Sequence, residues 1–365
     1  MMEKTLKNSG AGSSRRSFLK KSVVAGAVAT IGGGILTDGL GALAHAQTSR
    51  KPISNGDIAI LQFLAAAELI ETDLWQQYAE LGGVTSGAQN PYQLALQQLD
   101  GDGSQYITSN TLDEHTHANF LNAYLVSKGA AAVNLDKFRT LPSSQATGAK
   151  QLGRLTNLMN LTVDTSWYTR YRSHKNPDFG ATFPQAVTIA NKPAIPVTNA
   201  DFGPNAHIQA IADTAAFHFG TIEQGGSSLY SAMAQKANDV EVLRIVVSIG
   251  GDEVAHFLEW VDFAGNAASA PLAPLTDPVT GLHIPDLNAS GSKATQTNLI
   301  FPVACEFIDP SLPQCAVIRP TDPTGIAAGV VQFLTDMNLF SGQSVGFFDT
   351  LNRLAGAADA AQRGF

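Results

Sequence analysis

Two short strings constrain this chain more than anything else in it: Asp113-Glu114-His115-Thr116-His117 and Asp252-Glu253-Val254-Ala255-His256. Each contains Glu-x-x-His, and residues at i and i+3 of a helix project from one face, a turn apart. The faces they occupy are apolar: Glu114 and His117 share theirs with Leu121 and Tyr124, Glu253 and His256 theirs with Ile249 and Trp260. A carboxylate aimed into a core is expensive unless it is paired or metal-bound. A chain with two such pairs must therefore fold so that something inside compensates them.

Four segments show the three-to-four spacing of amphipathic helices: Ile58 to Leu81, about Asn110 to Lys128, Ala206 to Ala237 and Val240 to Phe263. The second places Phe120, Leu121, Tyr124 and Leu125 on one side. The first and third each offer a glutamate on the apolar arc, Glu68 after three alanines and Glu223 beside Phe219 and Ile222. Spacing alone supports convergence of the last two helices. Asn238, in the obvious turn Lys236-Ala237-Asn238-Asp239, is 15 residues from both Glu223 and Glu253. Both glutamates then sit about 22 Å from the turn at 1.5 Å per residue, face to face on antiparallel helices. Glu68 and Glu114 are 46 apart, with Gly82-Gly83 and Asn90-Pro91 marking a longer connection.

The order along the chain is Glu, Glu-x-x-His, Glu, Glu-x-x-His. Di-iron and di-manganese carboxylate bundles use this inventory. Four carboxylates and two imidazoles suit two divalent ions of the Fe or Mn type better than zinc or copper, and four negative charges neutralise two dications. On Glu68, Glu114, His117, Glu223, Glu253 and His256, together with an export-type leader, the chain resembles the ferritin-like superfamily, and within it the exported ferritin-like, or desiccation-related, proteins. The resemblance covers roughly residues 55–265. It implies an all-α fold, a ferritin-like four-helix bundle with one long crossover, and a carboxylate-bridged di-metal centre held by those six residues. It does not imply one reaction, because relatives of this kind include oxidases, peroxidases, manganese catalases and iron-storage shells. The long crossover, a proline-rich segment and the leader set the chain apart from the storage shells.

The leader is Ser14-Arg15-Arg16-Ser17-Phe18-Leu19-Lys20-Lys21, a weakly apolar run to about Leu43, and Ala44-His45-Ala46. It reads as a cleaved twin-arginine export signal over 1–46, which predicts a periplasmic or secreted protein. Glycines and Asp38 make its apolar run a poor permanent span. Cleavage would remove six basic and two acidic residues, leaving 17 basic and 29 acidic, a net charge of −12. That balance argues against nucleic acid or an anionic membrane as partner. Hydrophobic residues are 44% and charged residues 15% of the chain, enough apolar material for a sizeable core. Two cysteines cannot form a cysteine-rich zinc site, but in an oxidising compartment Cys305 and Cys315 would be able to pair as a structural staple.

The crossover occupies residues 129–203, with a helix expected from Lys150 to Arg172 before a proline-rich stretch. Residues 266–323 hold nine of the seventeen prolines and read as an irregular wrap. Residues 324–365 contain apolar helical patterns near Ile326–Phe340 and Val345–Ala360, which either pack on the bundle or mediate association.

Several residues admit two readings. Glu71 competes with Glu68 on the same arc; the resemblance favours Glu68, leaving Glu71 as a neighbour or an additional ligand. Asp113 and Asp252 either orient histidines across the bundle or lie solvated. His115 points about 100° from Glu114 and reads as a surface residue. His218 reads either as an ordinary partly buried histidine or as a support behind a ligand, and Trp75 and Tyr230 either as core aromatics or as groups that shield the metals or carry oxidising equivalents. No phosphate loop, dinucleotide fingerprint or serine elbow is present. The expected function is redox chemistry on a small oxidant, O2 or peroxide, linked to stress tolerance. The alternatives are a non-catalytic stress or cell-envelope binding protein with a structural or vestigial metal site, and simple iron sequestration.

Overall fold

The computed structural model describes residues 52–170, 184–289, 302–305, 308–316 and 322–364, all within one unit, Ser49–Phe365. The leader over 1–46 lies outside the described residues. The described chain is mostly helical: α1 (Asn55–Gly82), α2 (Pro91–Leu99), α3 (Gly103–Ser127), the short α4 (Trp167–Arg170), α5 (Asn205–Ala234), α6 (Val240–Ala267), α7 (Ile326–Asp336) and α8 (Val345–Asp359). None of the described helices is long and apolar enough to cross a membrane.

The helix ends follow from side-chain caps. The Ser54 hydroxyl accepts from the Asp57 N–H to start α1, and Asn90 with Gln93 forms a capping box ahead of Pro91 in α2. Asp239 caps α6 through the Glu241 N–H. The α2 helix fills the connection between α1 and α3 that the sequence marked only by Gly82-Gly83 and Asn90-Pro91. α1 packs along α3, and α5 along α6. Asp57 links these two pairs: its carboxylate accepts from the Asn238 and Asp239 N–H groups at 2.9 and 3.2 Å, fastening the α5–α6 turn to the first turn of α1. The core below is aromatic, with Trp75 stacked on both Phe219 and Trp260 at centroid distances of 4.9 and 5.3 Å. Phe120 does not join it. Leu121, Tyr124 and Leu125 are buried, but Phe120 is 52% exposed, one helical step off their stripe.

The expected helix from Lys150 to Arg172 is replaced over its described part by extended chain, the strand β1 (Leu161–Val163) and α4. β1 pairs antiparallel with β2 (Ile189–Lys192). The cause is long-range. Buried Asp73 of α1 accepts from the Leu155 and Thr156 N–H groups and from the Thr156 hydroxyl at 2.7–3.0 Å, and pairs with Arg139 at 2.6 Å. Backbone donors captured by a neighbouring carboxylate are withdrawn from a helical ladder. Glu80 takes Arg154 and the Lys150 N–H in the same way. The end of the crossover is fastened by His207, whose Nδ1 lies 2.9 Å from Asp277 and whose Nε2 lies 3.2 Å from Asp201.

The wrap contributes two small antiparallel pairs, β3 (Leu275–Thr276) with β4 (His283–Ile284) and β5 (Pro302–Val303) with β6 (Cys315–Ala316). Cys305 and Cys315 are both free thiols, not the expected staple. The β5–β6 register sets Val303 opposite Cys315, so Cys305 falls beyond the partner position. The two terminal helices pack on the rest of the molecule, α8 against α1 and α7 against α5 and α8. Asp359 at the end of α8 accepts from the Ala327 and Ala328 N–H groups at 2.9 and 3.0 Å, supplying the cap that α7 lacks in its own sequence.

Candidate metal centre

All six sequence-predicted donors meet in one place. Glu68 comes from α1, Glu114 and His117 from α3, Glu223 from α5, and Glu253 and His256 from α6. Their donor atoms form two overlapping sets, Glu68-Glu114-His117-Glu253 and Glu114-Glu223-Glu253-His256, each within 4.8 Å. Glu114 and Glu253 belong to both. The four glutamates are fully buried, and the two histidines are nearly so. Nδ1 of His117 lies 3.2 Å from Glu114 and 3.4 Å from Glu68, and Nδ1 of His256 lies 3.2 Å from Glu114 and 3.3 Å from Glu223.

The open reading of the two aspartates resolves into a reciprocal arrangement. Nε2 of His117 on α3 is 3.2 Å from Asp252 on α6, and Nε2 of His256 on α6 is 3.3 Å from Asp113 on α3. Each Asp-Glu-x-x-His string thus supplies the carboxylate behind the other string's imidazole. A carboxylate on Nε2 leaves Nδ1 directed at the centre and fixes the ring plane. Both aspartates are half-exposed, so they hold the histidines from the solvent side. His115 is exposed, as expected, and His218 is fully buried with Nδ1 2.7 Å from the Tyr78 hydroxyl.

Glu71 stands outside both donor sets, beside them. Burial first, then the neighbouring Glu68, Glu114 and Glu223, push its carboxyl well above the usual range. Three other groups touch the donors, and two of them, Asn110 and Gly226, escaped sequence reasoning. Nδ2 of Asn110, one turn before Glu114, donates to Glu114 at 2.7 Å and to Glu223 at 3.1 Å, while its Oδ1 accepts from Trp260 at 2.7 Å. The Tyr230 hydroxyl donates to Glu68. Gly226 makes room for a ligand: a Cβ there would lie 2.1 Å from Glu253 Oε2. The available signal was Gly225-Gly226 inside an otherwise apolar helix, where glycine is disfavoured by roughly 0.5–1 kcal/mol.

The electrostatics call for a cation. Both oxygens of Glu253, Glu68 Oε2 and Glu223 Oε2 are buried without a hydrogen-bond partner among the described residues. Burial raises Glu253 well above its usual range, and the carboxylates of Glu114, Glu71, Glu223 and Glu68 add to the rise. Burial and Glu223 lift Glu114 to about 7 against the opposing hydrogen bonds of His117 and His256. Burial alone would depress His117, yet its bonds to Asp252, Glu114 and Glu68 carry it to about 12. His256 is likewise driven above the usual imidazole range, by Glu223 and by its bonds to Asp113, Glu114 and Glu223, against burial. Without metal, protonated imidazoles are the countercharge. No lysine or arginine reaches the four glutamates among the described ion pairs. Orphaned carboxylate oxygens next to imidazole Nδ1 atoms are the donor chemistry of a first-row divalent ion. The residues present therefore fit a metal.

A cleft of about 210 Å³, lined by Tyr106, Asn110, Asp113, His256, Glu259 and Trp260 among others, opens onto the centre between α3 and α6. Burial together with Asp100, Asp262 and Asp102 lifts Glu259 to about 7. Comparison with family models, with curated proteins and with solved structures returns no match for this chain.

Proposed function

We propose that this chain is a ferritin-like di-metal carboxylate protein, exported through its twin-arginine leader, that handles O2 or peroxide at a pair of iron or manganese ions. The observation that carries the reading is the overlap of the two donor sets at Glu114 and Glu253. Two donor sets sharing two carboxylates suit a pair of neighbouring ions better than two independent sites. In such a pair Glu68 and His117 would belong to one ion, and Glu223 and His256 to the other.

The ions, when bound, supply Lewis acidity and redox equivalents that no side chain here possesses. The chain's own residues do the rest. Glu114 and Glu253 would hold the shared position, and Asp113 and Asp252 fix the imidazole planes. Asn110 steadies Glu114 and Glu223 by donating to both. Tyr230 orients Glu68 through its hydroxyl. The aromatic layer of Trp75, Phe219 and Trp260 keeps water from the buried side.

Elemental analysis of the mature protein after anaerobic loading tests the reading. About two Fe or Mn per chain is expected, and a content well under one ends it. Mineral loading by hundreds of ions per assembly would point instead to sequestration. If metal is bound but serves only as a clip, Glu253→Ala would lose thermal stability while neither form turned over peroxide.

A further inference from the structure

Gly225 has no packing reason to be glycine. It lies in the interior of α5, where the residue weakens a helix, and its φ is not in the left-handed region. A Cβ built on it would meet nothing nearer than Phe333 Cε1 of α7, at 4.0 Å. Its neighbour Gly226 is constrained in the opposite sense, because a Cβ there would collide with Glu253. One glycine yields space to a ligand; the other faces space left empty.

That space is a small pocket of about 20 Å³ bounded by Glu71 of α1, Ile222, Gly225 and Gly226 of α5, and Val330 and Phe333 of α7. A cavity of this size admits roughly one water-sized guest. It abuts the centre across Gly226, against which Oε2 of the fully buried Glu253 sits without a hydrogen-bond partner among the described residues. Its walls are otherwise apolar, and Glu71 is the one polar side chain lining it. The outer wall belongs to α7, from outside the four donor-bearing helices.

Resting on the di-metal reading above, we propose that this cavity is the oxidant subsite, that it takes hydrogen peroxide with Glu71 as its hydrogen-bonding partner, and that Phe333 of the C-terminal helix excludes alkyl hydroperoxides by size. A ligand with O–H groups explains a single carboxyl group among apolar walls. Phe333 stands at the outer wall, where an alkyl group would have to pass.

The decisive variant is Gly225→Ala in the full mature chain. Its methyl fills the cavity without a clash and removes a mid-helix glycine, so the melting temperature should hold or rise. The iron(II)-loaded protein is titrated optically with nitric oxide, a two-atom probe that reads occupancy without turnover. Gly225→Ala should keep full metal content, bind nitric oxide about tenfold or more weakly, and lose peroxide turnover in proportion. Phe333→Ala should do the reverse, raising the rate with tert-butyl hydroperoxide relative to hydrogen peroxide by about tenfold. Val330→Ala supplies the same widening if Phe333→Ala does not fold. Equal nitric oxide affinity in wild type and Gly225→Ala, at full metal content, overturns the subsite and leaves the di-metal reading standing. A wild-type content well under one metal per chain overturns that reading itself.

Discussion

The centre has two unlike sides. Toward α3 and α6 it is polar and open: Asp113 and Asp252 are half-exposed, and a cleft of about 210 Å³ reaches Asn110 and His256. Toward α1, α5 and α7 it is apolar and narrower, with about 20 Å³ of free space beside Glu71 and Gly226. The imidazoles stand on the open side, backed by solvated carboxylates that stabilise their protons. Oε2 of Glu253, without a hydrogen-bond partner among the described residues, stands against Gly226 on the apolar side. The lesson is that one donor cluster can be set in two dielectrics. On the proposed reading, protons and cations would exchange where water reaches, and a small neutral guest would bind on the apolar side.

Removing a donor that both sets share should break the arrangement outright. Glu253→Gln is expected to weaken binding at both metal positions by at least about a hundredfold, read as the loss of both metals by elemental analysis. Retention of one tightly held metal would show that the sets are independent. The apolar side is probed next by Gly226→Ala. Its methyl would sit 2.1 Å from Glu253 Oε2 and must displace that carboxylate, destabilising the fold by about 1–3 kcal/mol and lowering metal content, in contrast to the neighbouring Gly225→Ala. Calorimetry with metal analysis checks both effects.

The open side should respond more mildly. Asp252→Asn is expected to lower metal affinity by about 10–100-fold while leaving the melting temperature of the metal-free protein within a few degrees. An unchanged affinity would mean that His117 is held without its aspartate. The gentlest effect concerns pH in the metal-free state. Glu114 rises from 4.5 to about 7, and His117 from 6.5 to about 12. A raised value means that the folded form keeps a proton the unfolded chain has released. Their stabilisation is complete below 4.5 and 6.5 respectively and is lost as pH climbs through each folded value. Metal-free stability should therefore fall between pH 5 and 8, by up to about 1.4 kcal/mol per pH unit for each proton retained. Asp252, whose carboxyl is held below its usual range chiefly by the bond from His117, opposes this trend only in acid. Metal loading, which displaces the imidazole protons, should flatten or invert the slope.

The six donors were legible because their signal is periodic: a carboxylate on an apolar stripe, with a histidine one turn on, needs no tertiary knowledge to be noticed. The α5–α6 turn was legible for the same reason, through equal spacing from Asn238. What failed depends on partners remote in sequence. The stretch from Lys150 carries helical periodicity, but Asp73 and Glu80 of α1 hold its backbone in another shape. Phe120 fits a helical arc only until the neighbouring stripe is fixed. Asn110 and Gly226 act through contacts across the core, and the only local trace of the second was a glycine pair where a helix would rather have none.

The grip of Asp57 on the α5–α6 turn has a mechanical consequence. It gives both helix pairs a common origin from which depth is counted: Glu68 lies eleven residues along one helix, and Glu223 and Glu253 lie fifteen residues from Asn238 along the others. Sliding one helix by a single residue displaces its carboxylate by about 1.5 Å, whereas metal–ligand distances tolerate only about 0.2 Å. A buried clasp at the first turn of α1 thus calibrates the spacing of donors several turns away.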